Sequence, residues 1–149
     1  MAQLKVDQLA DYLLCEARQR GVVLTHQKLQ KLCYYAQAWW LVLYEEPLID
    51  EDFQAWVPGP VLVSQQKRFG AFRCNPIVHD LTPSEITEPV RRHLDEILTV
   101  FGADSEDSLE RMVCEEAPWI KARGDLSRFE ISTSLICKDA IRVYYASLE

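Results

Sequence analysis

Between Leu32 and Tyr44 the chain reads Leu-Cys-Tyr-Tyr-Ala-Gln-Ala-Trp-Trp-Leu-Val-Leu-Tyr, and Gln37 is the one strongly polar residue in it. Apolar side chains recur at Leu29, Leu32, Cys33, Ala36, Trp39, Trp40 and Leu43, the spacing of an α-helix. Tyr34, Tyr35, Ala38, Leu41 and Val42 fill most of the remaining circumference. A helix that is apolar nearly all round must be covered on several sides. Counted from Thr25, such a helix is a rod of about 30 Å at ~1.5 Å per residue, the width of a small domain. Its apolar part falls short of the ~20 residues that a bilayer crossing needs. The expectation is a central helix over residues 25–44, wrapped by the rest of a mainly α fold.

The 149 residues suit one domain with one core, spanning 1–149. A net charge of −7 argues against general affinity for a nucleic acid backbone. The first residues, Met-Ala-Gln-Leu-Lys, carry no apolar export segment, so a cytoplasmic protein with no membrane attachment is expected. Five cysteines, Cys15, Cys33, Cys74, Cys114 and Cys137, are widely spaced and form no C-x-x-C pair. That pattern fits free thiols in a reducing compartment.

In chain order, Val6, Leu9, Ala10, Leu13, Leu14 and Ala17 stripe a first helix over 6–20, with Gly21 closing it. Thr25 is the candidate N-cap of the central helix. The helix–turn–helix layout invites a DNA-binding reading, but a recognition helix must keep an outer face free for base edges. A short strand is expected at Phe53–Val57, pairing with Ile77-Val78. Pro60 suits the first position of a helix running to Phe69. One helical turn from Pro83, a helix over 88–101 and a short helix over 106–115 follow. Residues 120–128 read as mostly loop, and Ser132 reads as the cap of a last helix ending near Ser147. The total is six or seven helices with at most a two-stranded ribbon.

Leu29-Gln30-Lys31-Leu32-Cys33-Tyr34-Tyr35-Ala36-Gln37-Ala38-Trp39, then Ala55-Trp56-Val57-Pro58-Gly59-Pro60-Val61, then Ala117-Pro118-Trp119, resembles the Panacea domain. This family was long catalogued as a phage-associated domain of unknown function and includes SocA-like antitoxins. The similarity runs in order over residues 5–145. Cys33 departs from the family's usual Leu-Leu-Tyr-Tyr pattern. The resemblance implies a bacterial or phage-encoded antitoxin that neutralises a toxin encoded beside it. One kind of member instead delivers its toxin to a protease as an adaptor.

The residues themselves point to no catalysis. Cys15, Cys33 and Cys137 lie on expected apolar faces, where a thiol acts as a small hydrophobe, whereas Cys74 and Cys114 are open to exposure. His26, His79 and His93 have no spacing that suggests a dyad with a cysteine or a metal site. No phosphate-binding loop, nucleophile elbow or H-E-x-x-H is present. No catalytic residue, metal ligand or cofactor is therefore expected.

Candidate partner contacts are of four kinds. Trp56 with Pro58, Gly59 and Pro60 suits a rigid aromatic rim, with a packed turn as the plainer reading. Lys28 and Lys31 share a helix face that is solvated by default, or that pairs with acids of a neighbouring loop. Tyr34 and Tyr35 point about 100° apart, so one belongs to the core while the other, taken as Tyr35, offers its hydroxyl outward. The acidic stretch 104–116, with Glu106, Asp107 and Glu110, suits steering of a basic toxin. The first reading is an antitoxin that binds its toxin without catalysis. A phage-associated regulator or proteolytic adaptor acting on host proteins comes next, and an enzyme with an unrecognised thiol or carboxylate site comes last.

Overall fold

The computed structural model describes residues 2–73, 75–77, 85–127 and 129–149. Among them are seven α-helices: α1 (Val6–Gln19), α2 (His26–Tyr44), α3 (Val63–Phe69), α4 (Glu88–Phe101), α5 (Glu106–Cys114), α6 (Ala117–Arg123) and α7 (Lys138–Ala146). Two short strands, β1 (Gln54–Ala55) and β2 (Pro60–Val61), form an antiparallel ribbon. The fold is mainly α, as the hydrophobic periodicity implied.

Helix α2 sits at the centre and packs on α1, α3, α4, α5, α7 and β2. Thr25 caps it by accepting the Lys28 N–H, and Glu45 closes it in the left-handed region. Nearly every residue of α2 from Leu29 to Leu41 is buried. Edge-to-face rings fix its orientation: Tyr34 stands 5.3 Å from Phe53, and Trp40 stands 5.2 Å from His93. Tyr35 stacks on Phe101 of α4 at 4.5 Å and 10°.

The lone polar residue of the apolar run holds the chain beyond the helix. The Gln37 side chain accepts the Leu48 and Ile49 N–H groups at 2.7 and 3.2 Å and donates to the Ile49 carbonyl at 3.0 Å. Leu48 and Ile49 are thereby pulled under α2, and both are fully buried. Helix α1 ends in a Schellman turn: Gly21, at φ 83°, donates to the Arg18 carbonyl while Val22 donates to Ala17. Arg68 of α3 reaches Asp11 and Asp7 of α1 at 2.8 and 3.2 Å.

Several expectations are corrected. Gln54 and Ala55 pair with Val61 and Pro60, not with Ile77, because the Pro-Gly turn folds the chain straight back. Pro76 pairs with Thr25, and Ile77 donates to Leu24. Pro60 is therefore a strand residue, and α3 starts at Val63. Residues 120–123, part of the stretch 120–128 read as mostly loop, belong to α6 (Ala117–Arg123), with Pro118 in its first turn. Ser132 caps nothing, because α7 begins only at Lys138 after Cys137. Cys137 is exposed and Cys114 buried, the reverse of expectation. Val78, His79 and the turn at Pro83, like Cys74, lie outside the described residues.

Candidate functional site

The three sequence motifs meet at one place. The Ala55–Val61 turn lies between the first half of α2 and the α5–α6 corner, and polar side chains from both sides pin its backbone. Gln30 of α2 clamps Leu62, accepting its N–H at 2.8 Å and donating to its carbonyl at 3.1 Å. Trp119 of α6 donates its indole N–H to the Trp56 carbonyl at 2.9 Å. The Cys114 thiol donates to the Pro58 carbonyl at 3.3 Å. Arg123 donates to the Ala55 carbonyl at 2.9 Å, and its guanidinium lies 4.8 Å over the Trp119 ring. Gly59 seals the turn against α2 and α5: a Cβ there would stand 3.4 Å from Val113 Cγ1 and 3.5 Å from Lys31 Cε.

Below Gly59 lies Lys31, only 1% exposed. Its Nζ reaches the Gln27 carbonyl at 3.5 Å, the outer limit of a hydrogen bond. Burial pushes its pKa down, while Glu106, Glu110, Cys114 and Asp107 pull the other way. Of these acids, Glu106 also accepts from the Thr25 hydroxyl. Lys28 donates to the Gly102 carbonyl at 2.6 Å and ties α2 to the end of α4.

A second polar cluster closes the other side of the helix. One carboxylate oxygen of Glu116 accepts from the Tyr35 hydroxyl at 2.7 Å and from the Tyr145 hydroxyl at 2.6 Å. The Tyr34 and Tyr145 oxygens lie 3.3 Å apart. Burial raises the Glu116 pKa against the pull of these two hydroxyl donors. It raises those of Tyr35 and Tyr145 as well, so both remain protonated donors.

The candidate contacts therefore separate. Tyr35, Lys31, Gly59 and Pro60 are buried and present no surface in this structure, because the polar ends of Tyr35 and Lys31 are used on Glu116 and under the turn. Trp56, Pro58, Lys28, Glu106 and Glu110 are half-buried, and Asp107 is exposed. Sequence reasoning passed over Gln30, Gln37, Cys114, Glu116 and Arg123, which do the pinning. The legible signal was Gln30 and Gln37 themselves, amides set into an otherwise apolar rod, where a buried amide has to find partners. Among the described residues no cluster of three His, Cys, Asp or Glu is placed to hold a metal ion. Nor is any of the described helices long and apolar enough to cross a membrane.

Two shallow apolar grooves open outside this interlock. One, of about 230 Å³, lies between Trp56-Val57 and residues 131–133. The other, of about 250 Å³, runs between α2 and α4 beside Trp39, Leu43, Val100 and Phe101.

A sealed central helix, a Pro-Gly-Pro turn pinned through its backbone, and a Pro-Trp helix start locking that turn define a small α-helical scaffold. The chain belongs to the Panacea domain family: the model of the SocA-like antitoxin Panacea domain matches residues 29–120, more than half of its 149 residues. The matched span begins at the α2 motif and ends beside Trp119, so it holds all of the interlock except Arg123. Neither the curated proteins nor the solved structures give a match.

Proposed function

We propose that this protein is the antitoxin of a bacterial or phage toxin–antitoxin pair, acting in the cytoplasm, and that it neutralises its toxin by direct protein–protein binding without catalysing a reaction. The whole chain, 1–149, acts as one domain in this reading. The observation that carries it is the family match over residues 29–120, in a family described as SocA-like antitoxins. The use of the motif side chains supports it. Cys114, Trp119 and Arg123 bond to backbone carbonyls of the turn and Gln30 to the backbone of Leu62 just after it, a structural use that needs no substrate. Recognition then falls to the outer shell. There the exposed acids Asp104, Asp107 and Glu115 supply a charge that favours encounter with a basic partner.

The test is co-expression with the product of the adjacent gene. Growth arrest by that product alone, rescue by this protein and recovery of a complex of the two are the expected results. A toxic neighbour that is neither bound nor neutralised refutes the proposal.

A further inference from the structure

A further segment joins the two-stranded ribbon through a single bridge. The Ala55 N–H donates to the Ser134 carbonyl and the Ile136 N–H donates to the Phe53 carbonyl, each at 2.8 Å, so Leu135 lies opposite Gln54 in antiparallel register. Successive residues of a strand send their N–H and C=O groups to opposite edges. Ser134 and Ile136 face β1, so Thr133 and Leu135 face away from it. Among the described residues, no hydrogen bond reaches the backbone of Ile131, Thr133 or Leu135. This is an open edge.

The side chains divide between core and solvent, with Ser134 exposed beside the unpaired positions. Ser132 and Ile136 are buried, while Ile131 is 90% exposed and Leu135 59% exposed. Phe129, just before them, is 84% exposed. Sheet edges are normally blunted by charge, proline or a covering element, because an apolar open edge recruits another chain. Nothing of that kind occurs between Ile131 and Leu135. The segment is also held in place. Arg123 binds the Ser127 carbonyl at 2.8 Å and the Glu130 carbonyl as well, Ser132 Oγ accepts the Ser134 N–H at 3.2 Å, and Ile136 is locked in the core. An edge held in extended form loses little entropy when a strand pairs with it.

The geometry points to residues 131–135 as a docking edge onto which an extended segment of the partner protein adds as a further strand, placing one apolar side chain in the groove beside Trp56. Open backbone donors and acceptors select an extended occupant over a helix, since a helix has none to offer in return. The groove of about 230 Å³ between Trp56-Val57 and residues 131–133 accommodates one large apolar side chain next to the paired backbone. With a net charge of −7, the chain favours a basic segment and disfavours a second copy of itself.

This inference rests on the antitoxin reading, and one experiment separates the two. The adjacent gene's product is titrated against wild-type protein and against Ile131→Lys/Leu135→Lys, with hydrogen exchange followed in the free and bound states. Both side chains point to solvent, so the variant keeps the wild-type melting temperature. Expected are at least a tenfold loss of affinity and, in the wild-type complex, slowed exchange at the Thr133 and Leu135 amides. Wild-type binding that survives in the variant, or a complex that leaves those two amides unprotected, overturns the docking edge alone. A wild-type protein that does not bind its toxic neighbour overturns the antitoxin reading and the edge with it. A concentration-dependent dimer that the double variant abolishes assigns the edge to self-pairing and refutes the partner proposal.

Discussion

Replacing Gln37 with leucine tests the scaffold where polar burial is most concentrated. The Gln37 amide is 1% exposed and serves three backbone groups, the Leu48 N–H, the Ile49 N–H and the Ile49 carbonyl. Leucine is similar in volume, so the substitution opens little cavity and the cost is that of three orphaned polar groups. Each such group costs about 1–3 kcal/mol when it stays buried. Some relief comes from the loop moving toward water, which brings the sum to about 3–5 kcal/mol. In a chain of this size a kilocalorie shifts the melting temperature by roughly 2–4 °C, so a fall of about 10 °C or more is expected. Urea denaturation gives the free energy, and hydrogen exchange at Leu48 and Ile49 should accelerate before that of α2. Leu43→Gln, the reverse exchange at an exposed position of the same helix, should stay within about 0.5 kcal/mol. A Gln37→Leu protein within ~1 kcal/mol of wild type would refute the claim that this amide anchors the chain after the helix.

Three further outcomes follow from the same contacts. Burial lowers the Lys31 pKa, so above the folded value and below 10.5 the unfolded chain binds more protons and stability rises with pH. Lys31→Met should remove that rise between neutral pH and about 10, measured by denaturant midpoints, while an unchanged slope would contradict the burial of the charge. For Glu116 the sign is opposite: its folded pKa is raised above 4.5, so stability is greatest with the carboxyl protonated and declines as pH rises through the folded value. Glu116→Gln keeps an oxygen for both tyrosine hydroxyls, so its pH profile should be flatter than that of wild type and it should be no less stable at pH 7. Trp119→Phe deletes the bond to the Trp56 carbonyl and should cost about 1–3 kcal/mol by chemical denaturation, with local exchange rising in the Ala55–Val61 turn.

Helical periodicity was legible because burial on one side writes an apolar stripe into the sequence. The stripes of α1, α2 and α4 emerged within a residue or two of their ends. The segments that went astray are those whose form is set by distant partners. Residues 117–123 carry too little periodicity to announce a helix, yet Pro118 starts one and Trp119 and Arg123 hold it against the Ala55–Val61 turn. The strand pairing at Gln54–Ala55 depends on how sharply the proline turn folds back, which composition does not encode. Lys31 was the least legible residue. A lysine on the first turns of a helix is solvated by default, and only the packing of Gly59 and α5 over it reveals otherwise. The outer edge at 131–135 left no signal because its apolar residues are few and its significance lies in the unpaired backbone.

The most direct test of the sealed helix is native-state hydrogen exchange on the full chain, alone and with the adjacent gene's product. The amides from Leu32 to Ala38 should be among the slowest in the protein, opening only with global unfolding, and the partner should leave the pattern within α2 unchanged. Fast exchange along this stretch in the free protein, or direct contact of the partner with Tyr34, Tyr35 or Lys31 in the complex, would contradict a scaffold that keeps its motif residues for itself.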